Sequence, residues 1–285
     1  MKVVNLTGAN TSSGGVLLLG GFDGMHVGHR RLLERAKEFG VPVGVMTIVG
    51  GKGEGLFTIG ERERFFASLG IDFTFEFPFE NIRNLSAKSF LTLLEDTFSP
   101  CAFVCGDDFR FGKGAEGDAA LLKSCASIPV FVQELVKVDG EKVSSGKVKE
   151  LLKSGQIECA NALLGRSFFL VGEVETGRQI GRTICFPTAN IRYPSGKFPL
   201  KKGVYETRVC IDGKLYAGIT NFGARPTFDN DEVWTETHLK GFKGDLYGRT
   251  LCVEFRRFLR EIRKFDSAEA LKQQLIEDLE HVGTN

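Results

Sequence analysis

The stretch that decides the fold is GVLLLGGFDGMHVGH, residues 15–29. The apolar run at residues 16–19 is typical of a strand buried on both faces, and the glycines after it end the strand. A helix is predicted over residues 27–39, so His26 and His29 stand at its first turn. A strand that passes through glycines into a helix is typical of a parallel α/β unit.

The same alternation continues through the first half of the chain. Further strands are predicted over residues 41–48, 101–105 and 130–132, and helices over residues 61–69 and 86–98, with Ser86 as a cap. Strands that alternate with helices form parallel sheets with right-handed crossovers, and such sheets bind ligands beyond the carboxyl ends of their strands. We expect a Rossmann-like domain with its ligand site near residues 21–29.

The second half of the chain has a different pattern of predicted elements. Strands are predicted over residues 168–175, 203–211, 214–220, 234–239 and 250–258, and the turn Asp212-Gly213 is a hairpin signal. An amphipathic helix with Ser267 as its cap is predicted over residues 267–281. Together these predict an antiparallel β-barrel or β-sandwich with a terminal helix. The change begins in a polar, helix-compatible segment at residues 148–164, and we place the domains at residues 1–158 and 159–285.

Composition limits the class of protein. A chain of 285 residues exceeds the usual size of one domain, and a formal net charge of +1 does not favour a nucleic-acid-binding surface. No apolar run reaches the roughly 20 residues that span a bilayer, and the N-terminus does not read as a signal peptide. We expect a cytoplasmic monomer or weak oligomer. The seven cysteines form no CxxC pair, and we expect most to be small buried hydrophobes.

The histidine pair predicts phosphate chemistry. Unpaired N–H groups and the dipole at a helix N-terminus favour phosphates, and glycines let a nucleotide approach the backbone closely. Histidines three residues apart lie on one helical face and can donate hydrogen bonds to a phosphate whose charge grows during transfer. The alternative is two surface histidines in a glycine-rich turn. The functional interpretation is favoured because the chain has four histidines and two of them have this spacing directly after a strand.

The motif HxGH after a first strand is shared by nucleotidyltransferases and class I aminoacyl-tRNA synthetases. The longer form, GFDGMHVGH at residues 21–29, resembles the bacterial bifunctional riboflavin kinase/FMN adenylyltransferases, also called FAD synthetases. The block GDDFRFG at residues 106–112 resembles their flavin and nucleotide loop. Residues 144–149, SSGKVK, resemble their SSTxIR or SSTxVR loop, with Gly146 and Lys149 where the family has threonine and arginine. Lysine keeps the charge but lacks the bidentate fork of arginine.

The resemblance implies catalytic roles for the two histidines and a set of nucleotide or flavin contacts in the first domain. These contacts are Gly21, Phe22, Asp23, Gly28, Asp107, Phe109, Arg110, Ser144, Ser145 and Lys149.

In the second half, residues 181–190 read GRTICFPTAN. Thr188 and Asn190 offer oxygen ligands suited to Mg²⁺ and the phosphates of ATP. Judged from its residues alone, the segment is only a polar loop. By the same standard, Glu236 could be a solvent-facing carboxylate beside a core histidine. The segment resembles the riboflavin kinase motif GRxxxFPTAN, and residues 221–228 resemble the loop that faces the flavin. Glu236 matches the family's catalytic base, and His238 shares its sheet face if both lie on a strand.

The resemblance implies a metal site at Thr188 and Asn190 and further nucleotide or flavin contacts in the second domain. These contacts are Gly177, Arg178, Gly181, Arg182, Thr188, Asn190, Asn221, Arg225 and Thr227.

The implied activity has two steps. ATP with Mg²⁺ phosphorylates riboflavin to FMN in the barrel, and the first domain then joins FMN to ATP, giving FAD and pyrophosphate. The partners would be these small molecules, without nucleic acid or membrane. Three alternatives remain open: a nucleotidyltransferase acting on another phosphate, a synthetase-like protein that binds tRNA, and a flavin-sensing module without turnover.

Overall fold

The structure, a computed structural model, describes residues 2–5, 14–50, 53–134, 136–138, 140–177, 186–224 and 232–283. Contacts divide the chain into two compact units, residues 1–145 and 146–285. The domain boundary proposed after residue 158 stays a prediction, and that position lies inside the helix Ile157–Leu164.

The first unit is built around a parallel sheet. Its strands are β1 Lys2–Asn5, β2 Val16–Leu19, β3 Val43–Val49, β4 Phe73–Pro78, β5 Ala102–Gly106, β6 Arg110–Phe111, β7 Gly117–Asp118, β8 Val130–Gln133, β9 Lys137–Val138 and β10 Glu141–Lys142. Its helices are α1 Val27–Lys37, α2 Ile59–Ser68, α3 Phe79–Ile82, α4 Ala87–Phe98 and α5 Ala119–Cys125. Six strands form the parallel sheet in the order β1-β4-β3-β2-β5-β8, while β6 with β7 and β9 with β10 form two small ribbons.

The parallel sheet predicted from the sequence is confirmed. Strand β2 is buried along its whole length, which explains its unbroken run of valine and leucine, because helices cover both faces of a parallel sheet. The chain moves outward from β2 through β3 to β4, then returns to the other side of β2 with β5. The direction of winding therefore changes between β2 and β5, where open α/β sheets bind their ligands.

Helix starts in this unit follow ordinary capping chemistry. The Ser86 hydroxyl accepts the N–H of Ser89 at 3.1 Å and begins α4, as the sequence predicts. Thr58 and Glu61 form a capping box at the start of α2, in which each side chain accepts the other residue's N–H. These side chains satisfy backbone donors that would otherwise be unpaired at the helix ends.

The second unit is an antiparallel barrel. Its elements are α6 Ser145–Ser154, α7 Ile157–Leu164, β11 Phe168–Glu173, β12 Ala189–Arg192, β13 Gly203–Ile211, β14 Lys214–Ala224, β15 Val233–Leu239, β16 Thr250–Arg260 and the C-terminal helix Ala268–Glu280, of which α6 begins at the last residue of the first unit. The strand order is β11-β16-β13-β14-β15-β12. A bridge between Glu175 and Asn190 joins the end of β11 to β12, with the Glu175 N–H 2.8 Å from the Asn190 carbonyl oxygen. This bridge closes the six strands and confirms the predicted barrel.

The turns and the end of the barrel also follow the prediction. Asp212 and Gly213 have φ of 51° and 80°, the left-handed pair that a two-residue hairpin between β13 and β14 requires. Ser267 accepts the N–H of Ala270 and begins the C-terminal helix. Within the described residues, the helices are too short or too polar for any of them to cross a membrane.

Candidate functional site

A cavity of about 580 Å³ lies in the first unit, at the carboxyl ends of β2, β5 and β8. This is where the change of winding direction predicts a ligand site. The structure brings most of the predicted first-domain residues together in its wall: Gly21, Phe22, His26, Gly28, His29, Phe109, Arg110, Ser144 and Ser145.

His26 is the N-cap of α1. Its Nδ1 accepts the backbone N–H of His29 at 3.3 Å, and the side chain is 7% exposed. Because Nδ1 acts as an acceptor, the neutral ring carries its hydrogen on Nε2. The rings of His26 and His29 stack with centroids 3.7 Å apart and an angle of 15°. The helix start therefore presents two parallel imidazoles to the cavity.

Both imidazoles are neutral near pH 7. Burial lowers the pKa of His26 to about 4, with Asp108 raising it and Lys142 lowering it by smaller amounts. Burial and the neighbouring His26 also lower the pKa of His29 well below its usual value. The Nδ1 atom of His29 is buried and has no hydrogen-bond partner within the described part of the chain. A buried polar atom in a cavity wall is suited to a bound ligand.

Gly28 allows the two histidines to lie this close. A Cβ atom at this position would stand 3.1 Å from Nδ1 and 3.2 Å from Cε1 of the His26 ring. In the turn before it, Phe22 and Met25 have φ of 40° and 44°, a backbone conformation that residues other than glycine rarely adopt. Both side chains are completely buried, so core packing holds the strained turn in place.

Part of the cavity lining is aromatic. Phe109 stacks on Phe111 with centroids 5.5 Å apart, and Phe90 lies 5.8 Å from Phe111. Phe79 and Ile82 also line the cavity. The cavity lining therefore combines histidines and serines with a group of aromatic side chains that suits a flat ring system.

Three of the predicted residues are not among those that line the cavity. The carboxylate of Asp23 accepts the N–H of Leu56 at 2.8 Å. This hydrogen bond connects the turn before α1 to the segment that leads into α2. Asp107 is exposed, and its backbone N–H donates to the Gln133 carbonyl at 2.9 Å. Lys149 belongs to the second unit, where its ammonium lies 5.5 Å from the centroid of the Phe198 ring. Their roles in binding stay predictions.

An ion pair in the cavity wall was not predicted from the sequence. Asp108 and Lys142 form an ion pair in the cavity wall, and both act on the pKa of His26. A signal was available for each of them. Asp108 belongs to the block at residues 106–112, and Lys142 precedes the two serines by two residues.

In the barrel, Glu236 stands at the centre of a polar row. The strand registers place it opposite Asn190 on β12 and opposite Asn221 on β14, so all three side chains lie on one face. His238, two residues along β15, shares this face, and its Nδ1 lies 2.9 Å from the Pro187 carbonyl oxygen. Burial lowers the pKa of His238, partly offset by this hydrogen bond.

Thr188 and Asn190 are in contact. The Asn190 amide nitrogen lies 3.1 Å from the Thr188 carbonyl oxygen and 3.5 Å from its hydroxyl. A Cβ at Gly177 would come within 2.5 Å of that amide, so glycine leaves room for Asn190 there. Thr188 lines a second cavity, of about 250 Å³, together with Thr237 and residues 242–247. Neutral oxygen donors beside a cavity fit a magnesium ion that takes its remaining ligands from phosphates.

Comparisons with known proteins match each half of the chain to a family. The riboflavin kinase family model matches residues 164–284, and the FAD synthetase family model matches residues 9–147. The bifunctional riboflavin kinase/FMN adenylyltransferase of Pseudomonas fluorescens is 36% identical over 93% of this chain and 91% of its own length. The chain belongs to this bifunctional family.

Two further relatives extend the comparison. The family member from Escherichia coli K12 is 34% identical over 93% of this chain and 90% of its own length. A crystal structure named as a macrolide-efflux protein from Streptococcus pneumoniae is 28% identical, covers 98% of this chain and 97% of its own, and superimposes with a TM-score of 0.87. The similarity to both therefore extends over both units.

Some residues expected from the family lie outside the described residues. They are Arg178, Gly181, Arg182, Arg225 and Thr227. In the sequence these residues adjoin β12 and β14, the two strands that flank Glu236. Their part in the kinase site stays a prediction from the family motifs.

Proposed function

We propose that this chain makes FAD in two steps, with one reaction in each unit. The second unit phosphorylates riboflavin to FMN with ATP, and the first unit transfers AMP from a second ATP to FMN, releasing pyrophosphate. The single observation that carries the first assignment is the stacked histidine pair at the start of α1, facing an aromatic-walled cavity.

The chemistry of adenylyl transfer needs no protein nucleophile. A phosphate oxygen of FMN attacks the α-phosphorus of ATP, the bond to the β-phosphate oxygen breaks, and pyrophosphate leaves with the electron pair. Negative charge grows on the α-phosphate oxygens as this happens. Neutral imidazoles donate hydrogen bonds to those oxygens, and the N–H groups at the start of α1 add to the same field. The chain's contribution is to position and stabilise charge, because both histidines are held neutral.

The kinase step requires a base and a phosphate clamp. We assign the base to Glu236, which takes the proton of the ribityl hydroxyl as its oxygen attacks the γ-phosphorus of ATP and ADP leaves. Asn190 and Asn221 flank it from the two neighbouring strands and can orient the flavin or the nucleotide. Thr188 and Asn190 would hold Mg²⁺, which when bound neutralises charge on the ATP phosphates.

Two variants test the division of labour. His29→Ala should lower the rate of FAD formation from supplied FMN by about 10² to 10³-fold, because it removes one donor to the transition state. Glu236→Gln should lower FMN formation from riboflavin by about 10² to 10⁴-fold. Each variant should keep the other activity. The measurement is chromatography of FMN and FAD after incubation with flavin, ATP and Mg²⁺.

The control is His281→Gln, which changes an exposed histidine at the end of the C-terminal helix and should leave both activities intact. If either active-site variant lost both activities while remaining folded, one reaction per unit would be wrong. Tight flavin binding without turnover in the unaltered protein would favour the flavin-sensing alternative. A cytoplasmic location and a monomeric or weakly oligomeric state remain part of the proposal.

A further inference from the structure

Two cysteines face each other on the outside of the barrel. Val209 of β13 lies opposite Val253 of β16, and Arg208 lies opposite Glu254. Continuing this antiparallel register by one residue sets Cys210 opposite Cys252.

Ion pairs on both sides show that the two strands stay together past the cysteines. On one side, a guanidinium nitrogen of Arg208 lies 2.6 Å from the Glu254 carboxylate. On the other side, a guanidinium nitrogen of Arg249 lies 2.6 Å from the Asp212 carboxylate. The two thiols therefore sit on neighbouring strands that are held side by side at both ends.

The thiols point outward. Their neighbours along the strands, Val209, Ile211, Leu251 and Val253, are all buried in the barrel. Alternation along a strand then directs residues 210 and 252 to the outer face, where Cys210 is exposed and Cys252 is half-buried. Directly opposite residues on antiparallel strands have Cβ atoms about 4.5–5.5 Å apart, close to the roughly 3.5–4.5 Å of a disulfide.

We propose that Cys210 and Cys252 form a dithiol site that reacts as a unit with small-molecule disulfides. The thiolate of Cys210 attacks one sulfur of the external disulfide, forming a mixed disulfide and releasing one thiolate. The thiolate of Cys252 then attacks the Cys210 sulfur and releases the second. Two protein thiols are oxidised, one external disulfide is reduced to two thiols, and a cross-link joins β13 to β16.

Other exposed cysteines provide an internal comparison. Cys125 ends α5 and Cys159 lies in α7, so neither has a cross-strand neighbour. They can take up one half of an external disulfide, but the second step needs a thiol placed opposite them. The strand register therefore predicts a cross-link at one pair and adducts elsewhere.

The experiment uses the full chain, reduced and then incubated with oxidised glutathione. After acid quenching and alkylation, trypsin releases Cys210 in residues 209–214 and Cys252 in residues 250–256. Mass spectrometry should find these two peptides joined by a disulfide. Cys210→Ser and Cys252→Ser should each lose the joined peptide and keep a glutathione adduct on the remaining cysteine, whereas Cys125→Ser should keep the joined peptide.

Two results would overturn the proposal. The first is a stable glutathione adduct on Cys210 with Cys252 still a thiol. The second is a yield of joined peptide that is the same for the folded protein and for protein unfolded in urea, since the cross-link is argued from the folded register. Both cysteines lie on the barrel surface, so the serine variants should fold, and circular dichroism checks that they do.

Discussion

At the scale of single residues, Gly28 sets the geometry on which the first site depends. The His26 ring leaves space for a hydrogen at this position, but a methyl group would press on the ring at 3.1 Å. That distance is shorter than an ordinary van der Waals contact, so the ring must turn or the helix start must move. Either shift disturbs the hydrogen bond between His26 Nδ1 and the His29 N–H, and with it the stacked pair.

Gly28→Ala is therefore expected to lower the rate of FAD formation from FMN on the order of 10²-fold, because small displacements of catalytic groups have effects of this size. Riboflavin phosphorylation should be unchanged. The matched control is Gly60→Ala in α2, where an added Cβ would meet nothing within 4 Å. Equal adenylylation rates in the Gly28→Ala variant and the unaltered protein would contradict the steric argument.

The low pKa of His26 predicts a contribution to acid sensitivity. The group is neutral in the folded state down to about pH 4, while in the unfolded chain it takes up a proton near its usual pKa of about 6.5. Protonation of the unfolded chain therefore leaves the stability of the fold unchanged above about pH 6.5 and lowers it progressively as the pH falls from about 6.5 toward 4. Between pH 7.5 and 5 this amounts to about 2 kcal/mol of unfolding free energy.

His26→Asn tests this contribution. Asparagine is a good N-cap, so the variant keeps an acceptor for the His29 N–H and removes the titrating ring. Urea unfolding at pH 7.5 and pH 5, followed by circular dichroism, should show a smaller loss of stability in the variant by about 2 kcal/mol. The same loss in both proteins would show that His26 is not held neutral by burial.

Single residues also mark the limit of prediction from sequence. The histidine pair was predictable because a strand, glycines and a helix start fix its surroundings locally. The ion pair of Asp108 with Lys142 was missed because it joins the turn after β5 to the short strand β10, and only the folded unit brings these together. The expectation that most cysteines are buried is wrong. Among the described cysteines Cys105 is buried, whereas Cys101, Cys125, Cys159 and Cys210 are exposed.

At the scale of elements, one buried ion pair joins the C-terminal helix to the barrel. The Arg260 guanidinium donates three hydrogen bonds to the Asp278 carboxylate, at 2.7 to 3.1 Å, and Asp278 is 5% exposed. Lys240 adds a contact to the helix end, since its ammonium lies 3.1 Å from the Leu279 carbonyl oxygen. Removing one partner of a buried pair leaves an uncompensated charge.

Arg260→Met should lower the unfolding free energy of the second unit by about 3 kcal/mol, and adding Asp278→Leu should restore most of it. The reporter is the fluorescence of Trp234, the chain's one tryptophan, which is buried in this unit. Glu261→Gln is the control, because the pair of Glu261 with Lys201 is solvent-exposed and such pairs contribute about 0–1 kcal/mol. If the double variant were as unstable as Arg260→Met, the loss of stability would not come from leaving the Asp278 carboxylate buried without its partner.

Elements with strong local signals were predicted closely. The strand predicted over residues 203–211 has the observed bounds Gly203–Ile211, since it alternates clearly and ends in a hairpin signal. Strand β4, Phe73–Pro78, was not predicted, because a phenylalanine-rich run of this length does not distinguish a strand from other buried structure. The segment at residues 148–164 is two helices, since Gly155 has φ of 83° and ends the first.

At the scale of the whole molecule, the order of elements could be predicted from the sequence, but the closure of the barrel could not. Alternating strands and helices indicate a parallel sheet, and short strands with turns indicate a barrel or sandwich. The choice between barrel and sandwich depends on the bridge from Glu175 to Asn190, a pairing between residues far apart in the chain with no local signal. Likewise, the partners of Glu236 follow from register across three strands.

The position where the two units can be separated is the last consequence of this organisation. Helix α6 contributes to the barrel, since the Leu152 carbonyl oxygen accepts the N–H of Lys201 at 3.0 Å and the Leu152 side chain is completely buried. In α7, the Asn161 side chain accepts the N–H of Phe168 and donates to the Phe255 carbonyl. A fragment that begins at residue 146 keeps both helices, whereas one that begins at residue 159 lacks α6 and the start of α7.

We therefore expect residues 146–285 to unfold in urea near the midpoint of this unit in the full chain, as reported by Trp234 fluorescence. The fragment of residues 159–285 should unfold at a midpoint lower by about 1 M or more, because losing buried leucine or isoleucine contacts costs about 2–5 kcal/mol each. In the full chain, Leu152→Ala should show part of the same loss. Equal midpoints for the two fragments would place the boundary after residue 158 and make α6 dispensable to the barrel.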